Sequence, residues 1–278
     1  MKEIFDELSA ACSQMITKRY STSFSLGIYF LEEKLRQPIY SIYGFVRLAD
    51  EIVDSFHDYD KGILLAKFKR DCFEAIDDGI SLNPVLNSFQ QVVNKYSIDK
   101  ELILLFLRSM EMDLQQELYT PEKYDEYILG SAQVVGLMCL QVFTEGDKVQ
   151  YEKLKDSAMK LGSAFQKVNF LRDINADYYT LSRTYFPNVN LSAFSNTEKK
   201  LIEADIDAEF KLALIGIRQL PASSRNGVYL AYVYYKELFN KIKSSTAEKV
   251  MTKRIRISNA HKFGLMFDSI FRYKTNTI

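Results

Sequence analysis

Two short stretches about 120 residues apart each carry an Asp-x-x-x-Asp pair, and they constrain the fold more than any other feature. In the first, Tyr43, Arg47, Asp50 and Asp54 fall at spacings of four, three and four, which puts them on one face of a helix. Ile42, Val46, Ala49, Val53 and Phe56 form an apolar stripe turned from it by roughly 100°. In the second, Gln166, Asn169, Asp173 and Asp177 share a face in the same way. On each helix an apolar stripe can be buried while the polar stripe looks into a cleft. A fold that brings the polar faces together opposes four carboxylates across one cavity, and a domain boundary between them would split it.

The rest of the chain reads as scaffold for that cavity. Only 11 Gly and 5 Pro interrupt 278 residues, which favours long helices joined by short links. Ile4, Phe5, Leu8, Ala11, Cys12 and Met15 give a first helix its apolar positions, with an end near Lys18 before a cap-forming run. Residues 25–30 are ambiguous between helix and strand. Pro38 is expected in the first turn of the helix that carries Asp50. Helical patterns also cover residues 62–78, a segment from Pro84, and residues 100–116, 124–142, 152–179 and 197–218. The stretch 124–142 is apolar on several sides, a sign of deep burial. Residues 221–227 read as a connection, followed by an aromatic-rich run at 228–242 and a basic segment from Lys249. With no internal repeat and no long linker, residues 1–278 are read as a single all-α domain.

Composition excludes several classes. Lys+Arg and Asp+Glu are both 36, which argues against a general nucleic-acid binder. Cys12, Cys72 and Cys139 are scattered and read as reduced, buried thiols. With two histidines and no Cys pair, a zinc site is not expected. The N-terminal residues lack the apolar core of a signal peptide, and no run approaches the roughly 20 apolar residues that span a bilayer. The expected location is cytoplasmic, at most peripheral to a membrane.

An isolated Asp-x-x-x-Asp face is most often simply solvated; two of them with matching polar stripes ask for more. Two like charges about 4 Å apart cost several kcal/mol at an effective dielectric of ~20. Either the carboxylates stay apart or a cation compensates. Oxygen-only ligands select hard cations, and Mg²⁺ bridges readily to phosphate oxygens. The chemistry suggested is Mg²⁺-assisted departure of a diphosphate, with Arg47, Arg172 and Arg183 near the motifs to bind the phosphates.

Five segments then stand out in order: Tyr20-Ser21-Thr22-Ser23-Phe24, Tyr43 to Asp54, Val134-Val135-Gly136-Leu137-Met138, Gln166 to Asp177, and Arg183-Thr184-Tyr185-Phe186-Pro187. From about Tyr20 to Arg256 the chain resembles the squalene/phytoene synthase family of head-to-head prenyl transferases. The resemblance implies an isoprenoid-synthase helical bundle around a central cavity that binds two molecules of one allylic diphosphate. The first ionises at C1 and alkylates the double bond of the second, giving a cyclopropylcarbinyl diphosphate. This intermediate ionises in turn and rearranges to a linear product. By matching position, Asp50, Asp54, Asp173 and Asp177 would hold Mg²⁺ (or Mn²⁺), with Asn169 as a further ligand and Gln166 in support. Ser21, Ser23, Tyr43, Arg47, Arg172 and Tyr185 would contact diphosphates or orient the intermediate.

Two departures from the family pattern matter. Tyr20 stands where many relatives have His. Tyr127 matches the Tyr thought to assist proton handling, but the residues after it have drifted to Gly130, Ser131 and Gln133; a packed aromatic is the other reading. The basic run Lys249, Lys253, Arg254, Arg256 and Lys262 reads as a solvated face, a flap over the diphosphates or a contact with anionic lipid. Its apolar residues, including Ile255 and Ile257, could equally be core.

The first expectation for the product is phytoene, from two geranylgeranyl diphosphates and without NADPH. The alternative is squalene or dehydrosqualene from farnesyl diphosphate. The missing hydrophobic tail and the lack of a Gly-rich nicotinamide fingerprint weigh against a reductive, membrane-anchored enzyme. A non-catalytic relative serving in assembly would be expected to lose metal-binding carboxylates, and this chain keeps all four. Phe24, Phe45, Val134, Leu137, Met138, Leu140 and Phe165 are candidate cavity walls, and Gly130, Ser131, Ala132 and Gly136 are expected to leave room for a long tail. Oligomeric state is not legible in the sequence.

Overall fold

A computed structural model of the chain describes residues 1–115, 119–179, 185–187, 189, 191–258, 264, 265 and 275, apart from the side chains of residues 22, 23 and 179. Among these residues the regular structure is entirely helical. The helices are α1 (Lys2–Tyr20), α2 (Thr22–Tyr29), α3 (Glu33–Ser55), α4 (Lys61–Asp78), α5 (Pro84–Tyr96) and α6 (Lys100–Met112), followed by α7 (Pro121–Ile128), α8 (Val134–Phe143), α9 (Lys148–Tyr179), α10 (Asn196–Ile217), α11 (Ala222–Lys243) and α12 (Ala247–Thr252).

Local chemistry sets most of the boundaries. Asp60, Asn83, Asp99 and Thr120 cap α4 to α7 by accepting backbone N–H bonds, and Pro84 and Pro121 open their helices where no N–H is needed. Ser195 and Glu198 form a reciprocal capping box at the start of α10. Of the ambiguous residues 25–30, residues 25–29 join α2 and Phe30 is its C-cap; Ser21 caps the other end by accepting the Phe24 N–H. Several boundaries differ from the sequence expectation: α6 ends at Met112 and not at residue 116, and α9 begins at Lys148 and not at residue 152. Pro38 lies inside α3 and not in its first turn, and residues 222–227 belong to α11 and not to a connection.

Two cores flank the future site. One gathers Phe45, Phe68, Phe89 and Phe106 with the buried faces of α3 to α6 and α8, the Phe45 and Phe89 rings stacking at 4.0 Å. The other gathers Val168, Leu171, Phe210, Leu238 and Phe239 from α9, α10 and α11. On the side of α9 away from the first core, Ser163 donates to Glu209 at 2.9 Å, and Lys167 pairs with Glu209 at 3.1 Å and Asp205 at 2.5 Å. These bonds fix α9 against α10.

α1 is turned opposite to the sequence reading. Its buried residues are Ser9, Ser13 and Thr17, while Ile4, Leu8 and Met15 are each more than half exposed. The reason is close approach: a methyl on Gly44 of α3 would meet the Ser13 side chain at 2.9 Å, so only small groups fit between α1 and α3. Asn87 of α5 then bonds Ser9 and Asp6, satisfying the polar face.

The stretch expected as one helix at 124–142 is helical throughout, from Pro121 to Phe143, but not α-helical throughout. A π turn, Leu129–Gln133, joins α7 to α8 directly after Tyr127. By length and composition the run Pro121–Phe143 is apolar enough to cross a bilayer, contrary to the sequence reading, but half of its most apolar window is buried inside the protein.

Candidate active site

Between the two cores lies a cavity of about 720 Å³, toward the upper end of ordinary ligand sites. Its lining changes character along each helix that borders it. On α9 the lining begins with Leu154, Ala158, Leu161 and Phe165 and ends with Gln166, Asn169, Asp173 and Asp177. With a rise of about 1.5 Å per residue, those 23 steps extend roughly 35 Å. On α3 it passes from Ile39, Ile42 and Val46 to Arg47, Asp50 and Asp54. The site is thus apolar at one end and acidic at the other.

Of the residues singled out by sequence, Ser21, Tyr43, Arg47, Asp50, Asp54, Tyr127, Gln166, Asn169, Arg172, Asp173, Asp177 and Tyr185 all line this cavity. The Ser23 side chain and Arg183 lie outside the described residues. The two Asp pairs face one space, as their stripes require.

Arginines meet the carboxylates. Arg47 donates to Asp50 and Glu51, each at 2.5 Å, and stacks over the Tyr20 ring at 4.4 Å. Tyr20 therefore serves as a platform for the arginine. The Arg47 Nε is buried without an acceptor among the described residues, a donor that a phosphate oxygen would satisfy. Arg172 binds Asp173 at 2.5 Å, and Arg254 reaches the same carboxylate at 2.7 Å from the C-terminal basic segment. Ile255 and Ile257 are buried beside it, so that segment alternates between core and site.

Asp50 carries the electrostatic strain. Burial and the neighbouring charge of Asp54 push its pKa up to about 7, against the pull of Arg47; Asp113 and Glu51 add to the rise. A cation would relieve this crowding. Among the described residues no three acidic, His or Cys side chains form a ready-made metal cluster. What the site offers is a set of oxygen donors around an excess of negative charge, which fits a hard divalent cation by type and by sign.

Sequence reasoning missed Asp113 and Tyr235 among the lining residues, and named Arg254 only within a basic run with the flap over the diphosphates as one of three readings. Asp113 accepts the phenolic protons of Tyr127 at 2.8 Å and Tyr185 at 3.2 Å. Its signal was present: it is the carboxylate that ends the apolar face Leu102, Leu105, Phe106, Ser109, Met110 of α6. Tyr235 donates to Asn169 at 3.3 Å and stacks on Phe165 at 3.9 Å. Arg254 had no spacing that linked it to Asp173.

The proposed wall needs correction. Phe24, Leu140 and Phe165 line the cavity; Phe45, Val134, Leu137 and Met138 point into cores instead, and α8 offers Val135, Cys139 and Phe143. Gly130 and Gly136 do not leave room. A methyl on Gly130 would lie 2.5 Å from the Leu105 carbonyl, and one on Gly136 2.9 Å from that of Ala158, so both serve close packing of backbones. Burial pushes the thiol of Cys139 up to about 12, which disfavours the reactive thiolate.

Comparison with known proteins gives the same picture. A solved dehydrosqualene synthase bound to a ligand superposes on 97% of this chain and 98% of its own, with a TM-score of 0.83 at 20% identity, a likeness that shows the fold. Fold and cavity together define an all-helical domain of the dehydrosqualene and squalene synthase architecture. The sequence model for squalene/phytoene synthase matches residues 17–261, and the chain belongs to that family of head-to-head prenyl transferases. It is 27% identical to the 15-cis-phytoene synthase of Synechococcus elongatus, over 94% of this chain and 91% of that protein. It is 23% identical to the chloroplastic phytoene synthase 1 of Solanum lycopersicum over 94% of this chain, and spans 66% of that protein's length.

Proposed function

We propose that the protein is a phytoene synthase, which condenses two geranylgeranyl diphosphates head to head with release of diphosphate. One observation carries the reaction type: carboxylates, arginines and phenols gather at one end of a cavity whose other end is apolar. The relatives named phytoene synthase support the twenty-carbon substrate.

Asp50, Asp54, Asn169, Asp173 and Asp177 would hold Mg²⁺, which when bound neutralises charge on the departing diphosphate. The chain's own residues do the rest. Arg47, Arg172 and Arg254 turn from their carboxylate partners toward the phosphates. The Phe24, Phe165 and Tyr235 rings bound the space where the allylic cation forms, offering π faces and excluding water. Tyr127, its phenol held neutral because burial, with Asp113 adding, raises its pKa well above the ordinary value, would take up a proton lost from the coupled carbon while passing its own phenolic proton to Asp113, 2.8 Å away. The apolar end, with Leu140, Phe143 and Leu154, takes the prenyl tails.

The experiment is incubation of the purified protein with farnesyl or geranylgeranyl diphosphate and Mg²⁺, with and without NADPH, followed by mass analysis of the hydrocarbon. A forty-carbon product without NADPH is expected. A thirty-carbon product would reject the substrate while keeping the reaction type, and no diphosphate release from either donor would reject both.

A further inference from the structure

Tyr127 and Tyr185 come from distant parts of the chain, yet both phenols bond one carboxylate. Tyr127 donates to one oxygen of Asp113 at 2.8 Å, and Tyr185 to the other at 3.2 Å. Asp113 follows the last turn of α6, and its N–H is anchored to the Ser109 carbonyl at 3.3 Å. It belongs to neither Asp-x-x-x-Asp pair, but it lines the same cavity. The rings around it are tightly held: Tyr185 stacks on Phe170 at 4.0 Å, and Tyr127 lies 5.1 Å from Tyr185.

The polarity of these bonds is fixed by chemistry. Both phenols donate to Asp113, as a carboxylate that accepts at both oxygens requires. Each phenolic oxygen, its proton directed at Asp113, presents lone pairs to the cavity that all three residues border, and a proton taken up there is balanced by the phenolic proton passing to the Asp113 carboxylate. A phenol free to rotate could instead turn its O–H toward the reacting carbons, which would neither accept a proton nor favour a cation. We infer that Asp113 is a positioning residue that locks Tyr127 and Tyr185 as acceptors facing the reacting end of the cavity. The inference rests on the proposed head-to-head reaction and deepens it by giving the phenols a direction. It separates Asp113 from the metal-binding carboxylates: its effect runs through the tyrosines.

Asp113→Asn tests it. The amide keeps the size but sets an NH₂ against one phenol, which turns that O–H away. Turnover should fall about 100-fold or more, the scale of a misplaced proton acceptor. Affinity for geranylgeranyl thiodiphosphate, read by calorimetry, and the Mg²⁺ concentration for half-maximal rate should change far less than turnover, because Arg47, Arg172, Arg254 and the two Asp pairs keep their side chains. A deuterium isotope effect with C1-labelled substrate should emerge or grow. Tyr127→Phe added to Asp113→Asn should cost little beyond either change alone, since the two act as a unit.

Turnover within about threefold of wild type would overturn the inference. So would fully multiplicative losses in the double variant, or a loss recovered by extra Mg²⁺, which would make Asp113 a metal ligand. If Asp113→Asn does not fold, as judged by circular dichroism, Asp113→Glu keeps the charge and carries the same double-variant cycle. A wild type that releases no diphosphate removes the proposed reaction and this inference together. An active wild type with an indifferent Asp113→Asn removes the role of Asp113 alone.

Discussion

Asp50 illustrates how a single side chain can be destabilising and useful at once. Its carboxyl has a folded-state pKa of about 7, against about 3.9 in an unfolded chain, because burial and Asp54 oppose its charge. Between those values the folded protein holds the extra proton, so without metal this group lowers stability as pH rises from about 4 to 7. Asp50→Asn removes the ionisation. In EDTA it should raise Tm at pH 8 and make little difference at pH 4, while turnover with Mg²⁺ falls by orders of magnitude. Thermal melts across that range check the stability effect and steady-state kinetics the loss of turnover; a lower Tm at pH 8 would mean that the Arg47 pair dominates. Mg²⁺ with a diphosphate analogue should raise the Tm of the wild type and do so much less for Asp50→Asn. Arg47 offers a second test at this scale. Lysine keeps the charge but loses the planar fork that now spans Asp50 and Glu51 and stacks on Tyr20. Arg47→Lys should raise KM about tenfold or more, a difference of ~1.4 kcal/mol; unchanged KM and kcat would make Arg47 structural.

At the scale of helices, close approach between α8 and α9 shapes the site. A methyl on Gly162 of α9 would lie 2.5 Å from the Ala132 carbonyl, in the π turn that follows Tyr127. Backbone cannot yield as a flexible side chain would. Gly162→Ala should therefore cost about 1–3 kcal/mol of stability, measured by urea unfolding, and more than Gly79→Ala loses through backbone strain alone if the π turn is rigid. It should also lower turnover by shifting Tyr127. Stability equal to wild type would show that the turn has slack. The same packing explains why Gly136→Phe is a poor probe of tail length: it would push α8 and α9 apart before it narrowed the cavity.

For the whole molecule the open quantity is the prenyl length accepted by the cavity. Cys139 and Val135 border that cavity from α8 and pack against the first core. Cys139→Phe should shorten the usable space and shift preference from the twenty-carbon to the fifteen-carbon donor, with folding retained. A competition between the two diphosphates, read by mass analysis of the products, checks it. An unchanged product ratio would place the tail along another wall, such as Leu31 or Leu220.

Residue spacing is enough to give the helical class, the polar stripes on α3 and α9, and the expectation that the Asp motifs share one site. These follow from periodicity, which is local: a helix repeats every three to four residues, so Asp50 and Asp54 share a face wherever the helix lies. The family followed from the order of five motifs. Which face of a helix turns inward is settled by packing in the folded chain. Ile4, Leu8 and Met15 should have been buried by pattern, but the narrow gap at Gly44 admits only the small Ser13. Phe45 and Met138 lie on helices that border the cavity yet fill the core beside it, because a residue's side of a helix depends on its neighbours. Asp113, Tyr235 and Arg254 join the site across long stretches of chain, through bonds that no spacing encodes. Packing selects such partners by volume and by the need to satisfy buried polar groups, and both are properties of the assembled fold.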